Sequence, residues 1–300
     1  MAVARALELP LARGKVRASF AAMRPRQWTK NLLVFAASVF AAAVDDWHKW
    51  VEAIVCFVAY CAASSAAYLA NDVRDAELDR LHPVKRLRPI AREELSERGA
   101  LSLAAALVAA AVVLAALLGV WSLVLLLAFL VLQGAYSLGL KHVVLLDVAT
   151  IAALFVIRAA AGAVAVRVHI SPWLLVCTAL LALFLALAKR RAEITLVDAR
   201  ATPGRPVLGG YSRELVDRLV GVLAVATVLA YTAYTLTGGN SRWMVVTIPF
   251  VAFGIGRYVW LVRGRGAGEE PEEVLLRDLP LLTTIVAWAV TSGAILLATS

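Results

Sequence analysis

Residues 101–138 read LSLAAALVAAAVVLAALLGVWSLVLLLAFLVLQGAYSL, without one charged side chain. A single α-helix of that length would exceed about 50 Å at a rise of about 1.5 Å per residue, against a hydrocarbon core of about 30 Å. Two helices folded back at Gly119 match the bilayer. Charge parity separates the alternatives. With two helices, 25 of the 30 Lys and Arg lie on one side of the membrane and 3 on the other, while Arg158 and Arg257 fall inside spans. With one helix, every later loop changes side and the split becomes 16 to 12. Lys and Arg accumulate on cytoplasmic segments. The chain is therefore expected to turn at Gly119, with its N-terminus inside and its C-terminus outside.

Outward from this stretch the whole chain reads as membrane-embedded. Hydrophobic residues make up 62% of its 300 positions, the net charge is +9, and the mean hydropathy is +0.80. That excludes disorder, a coiled coil and a disulfide scaffold. Cys56, Cys61 and Cys177 all sit in apolar runs and are expected to be reduced packing residues. Spans are expected at 28–46, 51–70, 101–118, 120–138, 143–166, 170–188, 219–237, 243–262 and 279–298. The fold class is thus all-α, a polytopic bundle of nine transmembrane helices. The first span has a short apolar core, Leu32 to Val44, so its ends belong to the interface. A basic leader, 1–27, precedes it and lacks a signal-peptide cleavage pattern. Loops 71–99 and 189–218 are the sizeable soluble pieces, both on the cytoplasmic side.

The second span leaves the membrane through Asn71, Asp72, Val73, Arg74, Asp75, Ala76, Glu77, Leu78, Asp79 and Arg80. If the helix continues, Asp75 and Asp79 fall within roughly 60° of Asp72, on one face. Three stacked carboxylates repel one another, and a divalent cation removes that penalty. An all-oxygen set suits Mg²⁺, which takes one or two carboxylates and completes its shell with water and phosphate oxygens. The alternative is an exposed acidic helix end neutralised by Arg74 and Arg80. Next comes His82, Pro83, Val84, Lys85, Arg86, Leu87, Arg88, Pro89 and Ile90, whose prolines end the helix. Lys85, Arg86 and Arg88 beside the carboxylates suit a diphosphate: the metal bridges its oxygens and the cations neutralise the rest.

Asn71-Asp72-x-x-Asp75-x-x-x-Asp79 resembles the first aspartate-rich motif of the UbiA superfamily of intramembrane prenyltransferases, and the resemblance covers essentially the whole chain, including the nine-span count. Four further phrases are similar to its actinobacterial phosphoribosyltransferase subgroup: Arg24-Pro25-Arg26-Gln27-Trp28-Thr29-Lys30-Asn31, His82 to Pro89, Tyr136-Ser137-Leu138-x-Leu140-Lys141, and Lys189-Arg190-Arg191-Ala192-Glu193. That subgroup transfers 5-phosphoribose from phosphoribosyl diphosphate (PRPP) to a polyprenyl (decaprenyl) phosphate, feeding cell-wall arabinan synthesis. The resemblance implies Mg²⁺ on Asp72, Asp75 and Asp79, with Lys85 and Arg86 stabilising the leaving group. Substrate contacts then fall to Lys30, Asn31, Asn71, Arg88, Tyr136, Lys141, Arg158, Lys189 and Arg190. The implied partners are PRPP, a polyprenyl phosphate and the bilayer of the plasma membrane, with no nucleic acid; a homo-oligomer is compatible.

Several of these positions carry a second reading. Lys30 and Asn31 are phosphate contacts or, with Trp28, an interfacial anchor. Tyr136 and Lys141 are substrate contacts or an aromatic-belt tyrosine with a snorkelling lysine. Arg158 lies mid-span, where a charge is costly and faces the bundle interior; it binds phosphate or pairs with a buried acid such as Asp147. Asp147 serves the site or caps its helix, and Arg257 meets a lipid phosphate or an internal partner. Where most of the superfamily has a second carboxylate motif, this chain has Lys189, Arg190 and Arg191, with Glu193 and Asp198 five residues apart. Cations there suit a donor carrying an additional 5-phosphate. His48, His82, His142 and His169 show no metal-binding spacing. The nearest rival is a superfamily enzyme moving a prenyl chain from its diphosphate to an aromatic acceptor. A transporter is a rival of another class, but its charged site would lie near the midplane rather than at one face.

Overall fold

Apolar runs free of internal proline set the long helices. The computed structural model describes residues 13–40, 46–82, 84–200, 206–238, 241–265 and 271–299. The first twelve residues of the leader, and segments 41–45 and 201–205, lie outside them. Short helix α1 (Lys15–Ala22) leads to a 3-10 segment, Pro25–Phe35, and to α2 (Ala36–Phe40). Helix α3 (Trp47–Arg74) is followed by α4 (Ala76–Leu81) and a 3-10 turn at Lys85–Leu87. Next come α5 (Glu97–Leu118), α6 (Val120–Leu138), α7 (Leu146–Ala165), α8 (Pro172–Arg200) and α9 (Arg213–Thr237). The chain closes with α10 (Ile248–Arg265), α11 (Pro271–Arg277) and α12 (Leu279–Thr299). The described residues contain no strand.

The turn expected at Gly119 is present. Gly119 separates α5 from α6 with φ at +124°, a conformation glycine adopts without a Cβ clash. Ser96 and Ser212 cap α5 and α9 by accepting from the amides of Gly99 and Leu215.

Eight helices among the described residues are long and apolar enough to cross a membrane: α3, α5, α6, α7, α8, α9, α10 with the 3-10 turn before it, and α12. The chain is a multi-pass membrane protein. The expected first span is described only in part, as the 3-10 segment plus α2, and residues 41–45 lie outside. That part packs closely on α7. A Cβ on Gly162 of α7 would sit 1.9 Å from the Val34 carbonyl oxygen, so the 3-10 backbone lies directly against α7.

α3 and α7 are the most buried spans. Ala59, Ala63, Ala161, Ala163 and Ala165 are at most 1% exposed, and small side chains let the helices approach closely. Tyr60, Leu126, Phe129 and Leu154 fill the core between α3, α6 and α7. Phe184, Val216, Val220, Tyr258 and Val262 fill a second core between α8, α9 and α10. Between these halves a large cavity of about 2160 Å³ opens.

Candidate active site

Helix α3 ends in Asn71 and Asp72 at the mouth of this cavity, and α4 carries Asp79 beside them. Asp72 and Asp79 are 2% and 3% exposed. Buried carboxylates require partners, and both find arginine. Arg88 Nη1 donates to Asp79 Oδ2 at 2.5 Å and to Asp72 Oδ1 at 3.1 Å. Arg24 Nη2 donates to the same Asp72 oxygen at 2.5 Å and its guanidinium lies 4.9 Å from the Tyr68 ring centroid. Two carboxylates from two helices thus converge on a single cationic nitrogen.

The third carboxylate lines the same cavity but meets a different arginine. Asp75 breaks α3 from α4, with φ −94° and ψ 5°, and its half-buried side chain turns to Arg74 Nε at 3.2 Å. Among the described residues no three His, Cys, Asp or Glu side chains converge on a metal position. Backbone bonds from Asp75 N to the Asn71 carbonyl and from Asp79 N to the Asp75 carbonyl keep helical spacing through the junction, and Asp72, Asp75 and Asp79 all line the cavity. A magnesium ion still suits Asp72 and Asp79, because Arg88 Nη1 marks a point where both carboxylates accept positive charge. Two carboxylates, with phosphate oxygens and water, suffice for that ion.

The basic loop is held in place from both ends. His82 Nδ1 accepts from the amides of Val84 and Lys85, each at 3.2 Å. Ile90, 1% exposed, anchors the far end against Ala22, Leu69 and Ala76. Lys85 and Arg88 line the cavity; Arg86 is exposed and is not on its wall.

The phrase from Arg24 to Asn31 is folded onto α3. Trp28 Nε1 donates to Ser65 Oγ, which donates to the Met23 carbonyl, both at 3.0 Å. Arg24 holds φ at +54° directly before Pro25, a strained position for a non-glycine residue. Sequence reasoning did not single Arg24 out, although it stands in the same phrase as Lys30. Lys30 lines the cavity and donates to Gln27 Oε1 at 2.5 Å. Asn31 is fully buried and off the wall. Its Oδ1 accepts from Arg158 Nε at 2.8 Å and its Nδ2 donates to Cys61 Sγ at 3.3 Å.

Arg158 is 6% exposed on the cavity wall. Its guanidinium faces the Phe129 and Phe155 rings at 4.7 and 5.3 Å, and Nη1 donates to the Leu154 carbonyl. Among the described residues no carboxylate lies within ion-pair distance of it, Asp147 included. A buried cation without a counter-anion is a ready partner for one brought in by a substrate.

At the same end of the bundle, α7 and α8 build a second acidic corner. Asp147, fully buried, pairs with Arg190 Nε at 2.8 Å, and Arg190 also binds Glu193. Asp147 Oδ1 accepts from the Tyr211 hydroxyl at 2.5 Å and from its neighbouring amide, Val148. Burial, then the bond to Asp147, hold the Tyr211 phenol above its ordinary range. Arg191 turns away to Asp217 and the Val262 carbonyl. Lys189, Tyr136 and Lys141 line the cavity. Arg190 touches the wall as well but is 1% exposed and engaged by two carboxylates. The side chain of Asp198 lies outside the described part. Arg257 resolves to an internal partner, Asp278, at 2.9 Å.

This fold and this cavity are those of a polytopic membrane transferase. Residues 32–275 match the UbiA prenyltransferase family, and the chain belongs to it. It is 37% identical over 285 residues to the decaprenyl-phosphate phosphoribosyltransferase of Mycobacterium tuberculosis, covering 91% of this chain and 92% of that one. It is 35% identical to the Corynebacterium glutamicum protein of the same name, covering 89% and 83%. A solved UbiA homologue from Archaeoglobus fulgidus, bound to GPP and Mg²⁺, superposes with a TM-score of 0.70 over 93% of this chain and 99% of that one, at 19% identity.

Proposed function

We propose that the protein transfers 5-phosphoribose from PRPP to a polyprenyl phosphate, of decaprenyl length in its relatives, and releases pyrophosphate. Likeness to the mycobacterial and corynebacterial phosphoribosyltransferases over nearly the full length supports this. The observation that carries it is that cations from α8 and from the α6–α7 connection line the same cavity as Asp72. There Lys141 and Lys189 line the cavity, and the acids beside them, Asp147 and Glu193, are engaged by Arg190. A prenyl diphosphate carries its charge on the diphosphate alone, whereas PRPP also carries a 5-phosphate that cations on this wall suit.

Asp72 and Asp79 would hold Mg²⁺, as the carboxylates on which a cationic nitrogen already converges; bound there, it would neutralise the diphosphate oxygens and ease their departure. Arg24 and Arg88, then relieved of the carboxylates, face the diphosphate together with Lys85. Asn71 stands beside them on the wall. Lys189 and Lys141 take the 5-phosphate, with Tyr136 next to them. Arg158, deeper on the wall, receives the acceptor phosphate. The bond from the anomeric carbon to the diphosphate oxygen breaks, and its electron pair leaves with pyrophosphate. The acceptor phosphate oxygen supplies the pair for the new C–O bond. A phosphate monoester is already ionised near neutral pH, so no general base is needed. The acidic corner is assigned to the cytoplasmic face by the charge asymmetry of the loops, and the product suits cell-wall arabinan synthesis.

Purified protein supplied with Mg²⁺, PRPP and decaprenyl phosphate is expected to release pyrophosphate and form a phosphoribosylated lipid. Turnover of geranylgeranyl diphosphate with 4-hydroxybenzoate, and indifference to PRPP, would establish an ordinary prenyltransferase instead.

A further inference from the structure

Away from the cavity, α9 and α10 meet at the end of the bundle that carries the carboxylates, and three arginines gather there. Arg191, Arg218 and Arg263 line a shallow groove with Asp217, Gly221 and Val222. Their charges do not cancel. The Asp217 carboxylate is taken by Arg191. Arg263 Nη2 donates to the backbone carbonyl of Asp217 at 2.9 Å, a neutral partner that orients the guanidinium and leaves its charge in place. Arg218 is exposed and has no hydrogen-bond or ion-pair partner among the described residues. Gly221 makes room for this arrangement, since a Cβ there would lie 3.4 Å from Arg263 Nη2. The groove thus holds two uncompensated positive charges.

The surface above it is apolar and exposed. Val222, Val225, Leu229 and Leu236 follow Arg218 along one face of α9 and are 60–68% exposed. On α10, Phe253 and Trp260 lie ten and three residues before Arg263, seven apart and so on one face, and are 52% and 48% exposed. Two apolar stripes running up adjacent membrane helices from a dicationic groove match an amphiphile with a negative head and two chains. We propose that this groove binds an anionic phospholipid of the surrounding leaflet, its phosphodiester between Arg218 and Arg263 and its acyl chains along α9 and α10. The site is separate from the cavity and does not depend on the reaction assigned there.

Native mass spectrometry of the full-length detergent-purified protein, titrated with phosphatidylglycerol or phosphatidylcholine of matched chains, tests this. One basic residue near a membrane surface strengthens binding of an anionic lipid by roughly 5-fold. The wild type should prefer phosphatidylglycerol by roughly 30-fold at its tightest site on that scale. Arg218→Ala should cut the preference about 5-fold with an unchanged thermal midpoint, because that side chain holds nothing in place. Arg218→Lys should retain it, and Arg218→Ala with Arg263→Ala should abolish it. Equal retention of the two lipids by the wild type, or an undiminished preference in Arg218→Ala, would overturn the proposal. So would displacement of the phosphatidylglycerol by millimolar inorganic phosphate, which would mark a site for a soluble anion.

Discussion

Asp72 and Asp147 are both buried carboxylates at the same end of the bundle, and both are met by arginine, yet the two corners differ in what the arginine can do. At Asp72 the partners Arg24 and Arg88 have side chains 27% and 26% exposed, opening on the cavity. At Asp147 the partner Arg190 is 1% exposed, pinned by Glu193 as well, while Tyr211 occupies the other carboxylate oxygen. The first pair opens on the cavity, where Asp72 and Asp79 would hold an incoming cation and Arg24 and Arg88 would meet the phosphate oxygens it accompanies. The second pair has no such exit, since separating two buried charges leaves each without compensation. One corner is suited to exchange ligands; the other holds α7 to α8 beside Lys189 and Lys141 on the cavity wall.

Breaking the first corner should have the largest effect. Asp72→Asn and Asp79→Asn should each lower kcat on the order of 10²–10³-fold, with the fold retained in detergent by circular dichroism. Asp75→Asn should cost about 10-fold or less, because Asp75 faces Arg74. Equal loss in all three, measured by pyrophosphate release, would contradict the assignment of two converging carboxylates.

The second corner should answer in stability. Arg190→Ala leaves Asp147 charged and unpaired, a cost of about 3–5 kcal/mol, seen as a fall in the thermal midpoint in detergent. Arg88→Ala should lower the midpoint less than Arg190→Ala, because Arg24 still meets Asp72 and the corner opens on the cavity, while activity drops. Lys189→Ala sits between these cases. It should raise the KM for PRPP roughly 10–150-fold, the worth of one charge-assisted contact, and change the KM for the lipid phosphate much less. A smaller effect probes the frame itself: Gly162→Ala forces the 3-10 segment off α7 and should destabilise by about 1–3 kcal/mol.

What the sequence reveals divides along the same line. Apolar runs, the fold-back at Gly119 and the carboxylates followed by a basic loop are local patterns, and all are present. Contacts over long sequence distance were not legible. Asn31 reads as a phosphate contact or an interfacial anchor from the family phrase it stands in, and nothing in that phrase announces its bond to Arg158, 127 residues away. Arg24 gains its place beside Asp72 only once Trp28 and Ser65 join. Lys189, Arg190 and Arg191 look equivalent as a run, but consecutive helical residues diverge by about 100°. One therefore faces the cavity, one the buried acid of α7, and one α9.

The difference between the corners is tested most directly by metal binding. Mn²⁺ substituted for Mg²⁺ in the presence of PRPP should give a bound electron paramagnetic resonance signal in the wild type. The signal should disappear in Asp72→Asn and Asp79→Asn and persist in folded Asp147→Asn. A signal that survives both substitutions in the first corner, or that disappears only with Asp147→Asn, would contradict the account.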